Sequence, residues 1–285
     1  MPRESIQGGL ISTPTKGEAF ARLRDLVLRE GGLDLYQYRE RWVERRLAVR
    51  QRALGTRTLG AYLEALQADP GELPSLLDVL TVNVSEFFRN PQAFRIIAEY
   101  ALPDILARKR GQGVSALRLW SVGCASGEEP YSLAILLRES LRETIAEYSV
   151  LIYATDVDRK SLERAKEGFY PQAKLAQVPE ALRRKYFRPE GRGLRVRDEV
   201  KGMVIFREHN FFLEEPTFSR LDLVTFRNVM IYLTPSVQRQ ALDIFYQILN
   251  PGGYLVLGRV EGLQGAAREL FEPVSISERI YRKPL

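Results

Sequence analysis

The chain has 285 residues, of which 45% are hydrophobic and 27% charged, a composition that supports a globular core and excludes disorder, collagen and coiled coil as the main state. Its length allows one large domain or two modest ones, and its net charge of +6 invites an anionic partner such as nucleic acid, a membrane surface or an acidic protein. The single Cys124 and single His209 exclude an internal disulfide and a common zinc site, and the absence of an apolar run of about 18 residues favours a cytoplasmic protein over a secreted or membrane-spanning one.

The first predicted unit is a small all-α domain over residues 16–88, preceded by an N-terminal tail over 1–15. Four segments with helical periodicity, separated by GG, GTRT and ADPGE turn signals, extend from Phe20 to about Leu80. Residues 16–60 contain eleven Lys and Arg against six Asp and Glu, so this segment of the domain carries +5 of the total net charge of +6. A linking helix is predicted over 89–113.

Residues 114–285 alternate short β-rich runs with helices. The predicted strands include ALRLWSV, YSVLIYATD, MVIFREHN, LDLVTFRN and GYLVLG. Strands separated by helices predict an α/β fold with a doubly wound, mostly parallel, Rossmann-like sheet. The short run LRVR, flanked by turn residues, predicts a small β hairpin subdomain inserted at about 170–202.

A glycine-containing turn, SVGCASGEEP, follows the first of these strands. Gly123 and Gly127 allow the backbone to approach a ligand closely. Glu128 and Glu129 stand at the start of the next helix, where a pyrophosphate would prefer the bare positive helix end. The turn therefore favours a ligand that carries a cation over a dinucleotide.

Asp156 ends the second strand, where an acid can accept hydrogen bonds from both hydroxyls of a ribose. A nucleoside with a positive or zwitterionic tail and no pyrophosphate satisfies both sets of acids, and S-adenosylmethionine has this chemistry. A plain structural turn at Gly123, in an ordinary doubly wound domain, remains the alternative at this point.

Five segments carry a resemblance to a known family. They are LTVNVSEFFRNPQAF, RLWSVGCASGEEPYSLAILL, YATDVD, FRNVMIYL and LNPGGYLVLG, in this order and at this spacing. From about residue 20 to the end, the chain resembles the chemotaxis receptor glutamate methyltransferases, the CheR family. The resemblance implies a methyltransferase domain that uses S-adenosylmethionine, esterifies receptor glutamates and releases S-adenosylhomocysteine.

The resemblance, together with the glycine turn, assigns roles to individual residues. The expected cofactor contacts are Asn83, Ser85, Arg89, Gly123, Glu129, Asp156, Asn210, Phe211, Arg227 and Asn228. Among these, Glu129 suits the ammonium group, Asp156 the ribose, and Asn210 with Phe211 the adenine side. Arg89 and Tyr232 are the expected catalytic residues, which position the acceptor carboxylate. Because a glutamate is already ionised near neutral pH, the reaction needs neither His209 as a base nor Cys124 as a nucleophile.

The expected partner is the acidic cytoplasmic helical bundle of a chemoreceptor. If residues 38–53 form one helix, Arg41, Arg45 and Arg52 share a narrow outward stripe, while Tyr38, Trp42, Val49 and Ala53 form an apolar one. Arg39, Arg46 and Arg50 form a second basic stripe that can extend along apolar surface or pair internally. The predicted substrate contacts are Arg41, Arg45, Arg46 and Arg52, in a monomeric protein that neither binds nucleic acid nor enters a membrane. A solvated basic face without a partner is the alternative.

Two segments depart from the family pattern. Only RPEGRG separates YF from LRVR, whereas members tethered to a receptor's C-terminal peptide carry a longer hairpin loop, so recognition without a tether is expected. The segment LGRVEGL has Arg259 and Val260 where the family usually has His and Ser before the acid. This substitution leaves the local contact open.

Two other functions compete with receptor methylation. One is a nucleic-acid methyltransferase that grips its substrate with the basic domain, although FRNVMIY differs from the Asn/Asp-Pro-Pro-aromatic motif common in base methylation. The other is a signalling scaffold that binds S-adenosylmethionine without turnover.

Overall fold

A computed structural model describes residues 15–214 and 218–285 and divides the chain into two compact units between Thr81 and Val82. The predicted tail lies, except for Thr15, outside the described residues. Residues 82–88, which the sequence assigned to the helical domain, belong to the second unit. The first motif of the expected site is therefore part of the unit that contains the sheet.

The first unit consists of four α-helices, as predicted. They are α1 (Lys16–Gly31), α2 (Glu40–Leu54), α3 (Leu59–Ala68) and α4 (Glu72–Leu80), with a 3₁₀ turn at Leu35–Gln37. Thr15 caps α1, because its hydroxyl accepts from the N–H of Glu18 while the Glu18 carboxylate accepts from the N–H of Thr15. Gly32 and Gly55 end α1 and α2 in the left-handed conformation that glycine adopts without steric cost.

The buried face of α2 differs from the predicted apolar stripe. The helix buries Trp42, Val43 and Leu47, whereas Val49 and Ala53 are exposed. The cause is Arg50, which lies close to Val43 on the helical wheel and turns inward to an acid. Its Nε and Nη2 bond both oxygens of Glu72 at 2.9 and 2.6 Å.

The Arg50–Glu72 pair is completed by the Tyr62 hydroxyl, which donates to Glu72 at 2.7 Å. Glu72 is 2% exposed, and its hydrogen bonds with Arg50 lower the pKa of its carboxyl group. A buried carboxylate with a bidentate arginine and a third donor is fully hydrogen-bonded, and removing it leaves a cation without compensation.

We therefore expect Glu72→Ala to lower the free energy of unfolding of the helical unit by roughly 3 kcal/mol at pH 7. A carboxyl group with a lowered pKa stabilises the fold above its unfolded pKa and loses that contribution as the pH falls through the folded value. The difference between wild type and variant should hence shrink below the ordinary pKa of 4.5. Urea titration followed by circular dichroism and tryptophan fluorescence measures it.

Glu44→Ala is the matched control, since Glu44 pairs with Lys16 at the surface of the same unit. Exposed pairs contribute little to stability, so this variant should unfold like the wild type at every pH. Equal losses from both substitutions would contradict a special role for the buried pair.

The second unit contains a seven-stranded sheet with the order β6-β2-β1-β7-β8-β10-β9. The strands are β1 (Ala116–Val122), β2 (Ser149–Asp156), β6 (Val204–Glu208), β7 (Leu221–Phe226), β8 (Leu249–Leu257), β9 (Glu272–Ser275) and β10 (Ile280–Arg282). The five strands from β6 to β8 are parallel, and the last two pair antiparallel. The predicted doubly wound, mostly parallel sheet is confirmed, while β9 and β10 were missed because they are short and lack apolar alternation.

Helices cover the sheet and connect its strands. They are α5 (Pro91–Ile96), α6 (Leu102–Gly111), α7 (Glu128–Leu141), α8 (Arg159–Glu167), α9 (Glu180–Tyr186), α10 (Asp198–Lys201), α11 (Pro235–Ile248) and α12 (Ala267–Leu270). Helices α7 and α8 pack against β2 and β6, and α11 packs against β8. A π-helical turn at Ile97–Ala101 joins α5 to α6 immediately before Pro103, whose ring cannot donate the hydrogen bond that a regular helix needs there.

A second, antiparallel sheet is inserted between β2 and β6. Its strands are β3 (Phe169–Pro171), β4 (Phe187–Glu190) and β5 (Gly193–Val196), in the order β3-β5-β4. Two residues, 191 and 192, connect β4 to β5, so the predicted small β subdomain is present with a tight turn. Within residues 15–214 and 218–285, no helix combines the length and the apolar character needed to cross a bilayer.

Candidate active site at the carboxyl edge of the parallel sheet

The carboxyl ends of the parallel strands bring most of the expected site residues to one cleft. Strand order changes direction between β1 and β7, the position where open α/β sheets bind ligands. The expected residues that line this cleft are Ser85, Arg89, Gly123, Glu129, Arg227, Asn228 and Tyr232.

The turn after β1 requires glycine at Gly123. Its φ is +70°, and a Cβ on it would lie 2.7 Å from Cγ2 of Val229 in the turn that follows β7. Its N–H donates to the carbonyl of Thr155 on β2 at 2.8 Å. The turn after β1 therefore packs directly against Val229 and against the end of β2, which only a residue without a Cβ allows.

Asp156, at the end of β2, borders the glycine turn. Its Oδ2 accepts from the N–H of Ala125 and its Oδ1 from the N–H of Asp158, at 2.8 and 2.9 Å. Burial raises the pKa of this carboxyl group. Asn83 is connected to Asp156 through Asp158. Its side-chain amide donates to the carboxylate of Asp158, which caps α8.

Glu129 bridges the two central strands. Its Oε1 accepts from Oγ of Ser121 on β1 at 2.8 Å and from Oγ1 of Thr225 on β7 at 2.6 Å. Its Oε2 lies 3.1 Å from Nη1 of Arg227. The carboxylate keeps one lone-pair direction for a further donor.

The Arg227 side chain is almost completely buried and bonds other parts of the protein. Its side chain is 4% exposed, its Nη2 donates to the carbonyl of Arg89 at 2.7 Å, and its guanidinium lies over the ring of Phe94. Both ends of the guanidinium thus bond protein groups, and Arg227 ties Glu129 to the segment that carries Arg89.

The segment around Arg89 is held in an uncommon conformation. Phe88 and Asn90 have φ of 52° and 58°, and the N–H of Phe88 donates to Oγ of Ser132 at 2.9 Å. The ring of Phe87 is fully buried between those of Tyr170 and Phe187. Anchored in this way, the segment presents the half-buried Arg89 side chain to the cleft.

The residues expected on the adenine side follow β6. Asn210 is half-buried, and its side-chain oxygen accepts from the N–H of Phe212. Phe211 is 4% exposed and stacks on Phe245 with ring centroids 5.0 Å apart. The Phe211 ring thus packs among the aromatic side chains next to β1 and α11.

The single cysteine and the single histidine of the chain are both buried. Cys124 is 1% exposed, and burial raises the pKa of its thiol well above the usual value. His209 packs beside Trp120 with 2% exposure. A buried thiol and a buried imidazole are in keeping with packing roles for both residues.

Sequence reasoning missed three groups of the site. Ser121 and Thr225 lie within otherwise apolar strands, so the sequence pattern does not indicate that their hydroxyl groups bond Glu129. Lys174 lies 3.2 Å from Glu128 and donates to the carbonyl of Ser85, which links the inserted subdomain to the first motif. Glu261, in the segment LGRVEGL, accepts from three backbone N–H groups around Asn228.

The arginines of α2 belong to the helical unit and divide into two groups. Arg41, Arg45 and Arg52 are exposed, whereas Arg46 is half-buried with its guanidinium 5.8 Å from the Trp42 ring. The acids of α2 pair within the unit: Glu44 bonds Lys16, and Glu40 lies 3.5 Å from Arg24. This pairing leaves the outward arginine stripe as a basic surface.

Fold and site together define the class of the protein. A doubly wound sheet with a glycine turn after β1, an acid at the end of β2 and a second acid at the start of the following helix has the features of an S-adenosylmethionine-dependent methyltransferase. Comparison with known proteins identifies a particular family within this class. Residues 18–81 match the all-alpha domain of CheR methyltransferases, and residues 83–280 match the CheR methyltransferase SAM binding domain.

Relatives of known sequence extend over most of the chain. It is 31% identical to the chemotaxis protein methyltransferase of Borreliella burgdorferi over 88% of this chain and 90% of that one. It is 34% identical to the chemotaxis protein methyltransferase of Salmonella typhimurium over 88% of this chain and 85% of that one. A 104.1 kDa uncharacterized protein of Rhodobacter capsulatus is 35% identical over 93% of this chain, which spans only 27% of that protein. The chain belongs to the CheR methyltransferase family.

The cofactor of this family is S-adenosylmethionine, and the residues present fit it. Gly123 and Glu129 line the cleft, and two carboxylates, those of Glu129 and Asp156, suit an ammonium group and a ribose.

We expect Gly123→Ala to weaken S-adenosylhomocysteine binding at least tenfold and to lower the melting temperature, because the new methyl group is strained at φ +70° and displaces Val229. Gly111→Ala, at the open end of α6 where no atom lies within 4 Å, should change neither property for the worse. Calorimetric titration and thermal unfolding measure both variants. Wild-type affinity in Gly123→Ala would show that the turn does not border the cofactor.

Proposed function

We propose that the protein transfers a methyl group from S-adenosylmethionine to glutamate side chains on the cytoplasmic helices of a chemoreceptor. The observation that carries the proposal is the cleft that joins Arg89 and Tyr232 to Glu129 and the glycine turn. The names of the relatives, which are chemotaxis protein methyltransferases, support the same substrate class.

The chemistry requires positioning more than proton transfer. A glutamate with a pKa of about 4.3 is an anionic nucleophile at neutral pH, so no general base is needed. S-adenosylmethionine, when bound, supplies an electrophilic methyl group on a sulfonium. The protein has to align the carboxylate oxygen with that methyl group at about 3–3.5 Å and exclude water.

In this proposal Arg89 and Tyr232 hold the acceptor carboxylate. The half-buried guanidinium of Arg89 can bond one carboxylate oxygen, and the Tyr232 hydroxyl can donate to it as well. Hydrogen bonds from both side chains to one oxygen fix the carboxylate in place while its second oxygen remains free to react.

The remaining residues hold the cofactor. Glu129 takes the ammonium group through its remaining lone pair, and Asp156 takes the ribose hydroxyls. Ser85, Asn210 and Asn228 border the same region. Arg227 and Asn83 act through Glu129 and Asp158, respectively, which their bonding partners support.

Recognition of the receptor falls to the outward stripe of α2. The exposed Arg41, Arg45 and Arg52 match the charge of acidic methylation helices, and Arg46 contributes its partly exposed edge. The two-residue connection between β4 and β5 supports recognition without a receptor tail peptide.

Incubation with labelled S-adenosylmethionine and a receptor cytoplasmic fragment tests the reaction. We expect label that alkali releases as methanol, and Arg89→Ala should lower kcat at least a hundredfold because the acceptor loses its charged anchor. Arg95→Ala, at an exposed position of α5, should keep wild-type turnover. Alkali-stable label would contradict ester formation, and cofactor binding without turnover would indicate a sensing scaffold.

Charge reversal on α2 tests the partner surface. Arg41→Glu with Arg45→Glu should raise the KM for the receptor fragment at least tenfold at low ionic strength, and the effect should shrink in salt. S-adenosylhomocysteine affinity should stay at the wild-type value. Arg22→Glu with Arg29→Glu makes the same change of charge at exposed positions of α1 and should leave KM within twofold. Equal effects of both pairs would show that only overall charge matters.

A further inference from the structure

One buried carboxylate holds the N–H groups of the turn that carries Asn228 and Tyr232. Glu261 is 5% exposed, and its Oε2 accepts from the N–H of Asn228 at 2.9 Å and from that of Gly258 at 2.6 Å. Its Oε1 accepts from the N–H of Ile231 at 3.3 Å. Both oxygens of the Glu261 carboxylate therefore accept hydrogen bonds from backbone N–H groups, of the turn and of the loop that carries Glu261.

The turn is one that needs such an anchor. Asn228 has a φ of 64°, a left-handed conformation that costs free energy for a residue with a side chain. A Cβ on Gly258 would lie 2.6 Å from the Glu261 carboxylate and 2.9 Å from the Asn228 nitrogen. The loop after β8 thus approaches the turn after β7 as closely as a backbone can.

A second buried side chain binds the carbonyl groups of the same turn. Gln238 of α11 is 2% exposed, and its Nε2 donates to the carbonyls of Met230 and Leu233 at 2.7 and 3.1 Å. Glu261 and Gln238 therefore satisfy the donors and the acceptors of the turn from two different elements.

We propose that Glu261 is a positioning residue for methyl transfer, which fixes the turn so that Tyr232 stays directed at the acceptor carboxylate. This inference rests on the proposed function of Tyr232. Within the segment 259–261, Glu261 is the residue whose side chain bonds the turn in the described part of the chain.

Glu261→Gln isolates the role, because the amide has nearly the same shape but only one acceptor oxygen. Either the Asn228 and Gly258 donors or the Ile231 donor then faces an NH₂ group. The matched control is Asp222→Asn, at the opposite end of β7. Asp222 is also buried, at 3% exposure, and accepts from a backbone N–H, that of Arg118, at 2.9 Å.

We expect Glu261→Gln to lower kcat at least tenfold while the KM for the receptor fragment changes less than threefold. Backbone amide exchange in the peptide covering 226–233, followed by mass spectrometry, should become at least tenfold faster. Asp222→Asn should keep kcat within twofold and leave exchange in that peptide unchanged, even if its melting temperature falls as much as that of Glu261→Gln. Gly258→Ala, which disturbs the same contact from the backbone, should reproduce the loss of kcat and carries the test if Glu261→Gln fails to fold.

Wild-type kcat in a folded Glu261→Gln protein, or unchanged exchange of the turn, would overturn the inference. Equal loss of kcat in Asp222→Asn would overturn it as well, since the effect would then follow from stability alone. Absence of alkali-labile transfer by the wild type would instead contradict the proposed function, and the exchange measurement would still test the contact.

Discussion

The Glu129 carboxylate, lodged between β1 and β7, is the interaction on which the arrangement of the site depends. At this position the strand order changes direction, so the loops on either side diverge and leave a crevice. A negative charge in the crevice has to be compensated, and Ser121, Thr225 and Arg227 compensate it. Arg227 also donates a hydrogen bond to the carbonyl of Arg89. One carboxylate thereby links the two central strands to the first motif.

Backbone strain is concentrated around this crevice. Among the described residues, seven that are not glycine have a positive φ, and four of them, Phe88, Asn90, Ala125 and Asn228, lie in the segments that border the cleft. Such conformations persist only where the surroundings determine them. The anchors here are polar side chains: Ser132 accepts from the N–H of Phe88, Asp156 from that of Ala125, and Glu261 from that of Asn228. A reaction that depends on alignment benefits from this rigidity, because no free energy is then needed to order the site around its substrates.

Positive charge is concentrated in one segment of the helical unit. Residues 16–60 carry a net charge of +5, whereas the acids of α3 and α4 offset most of it within the same unit. Part of the positive charge serves stability, since Arg50 pairs with the buried Glu72. The exposed arginines of α2 form a basic stripe suited to an acidic protein helix. The basic character is therefore a property of this surface rather than of the unit as a whole.

Periodicity predicted the fold, since alternating strands and helices indicated the doubly wound sheet. The residue types after β1 and β2 predicted an acidic, glycine-containing site for S-adenosylmethionine, whereas the residues after β7 were assigned only by the resemblance to the CheR family. Pairing across the chain was decided only by the tertiary structure. Arg227 and Glu129 are 98 residues apart and Arg50 and Glu72 are 22 apart, so no local pattern announces that these arginines turn inward. The same holds for Glu261, whose importance lies in three backbone donors that carry no sequence signal, because every residue except proline has an N–H and only the fold brings these three together.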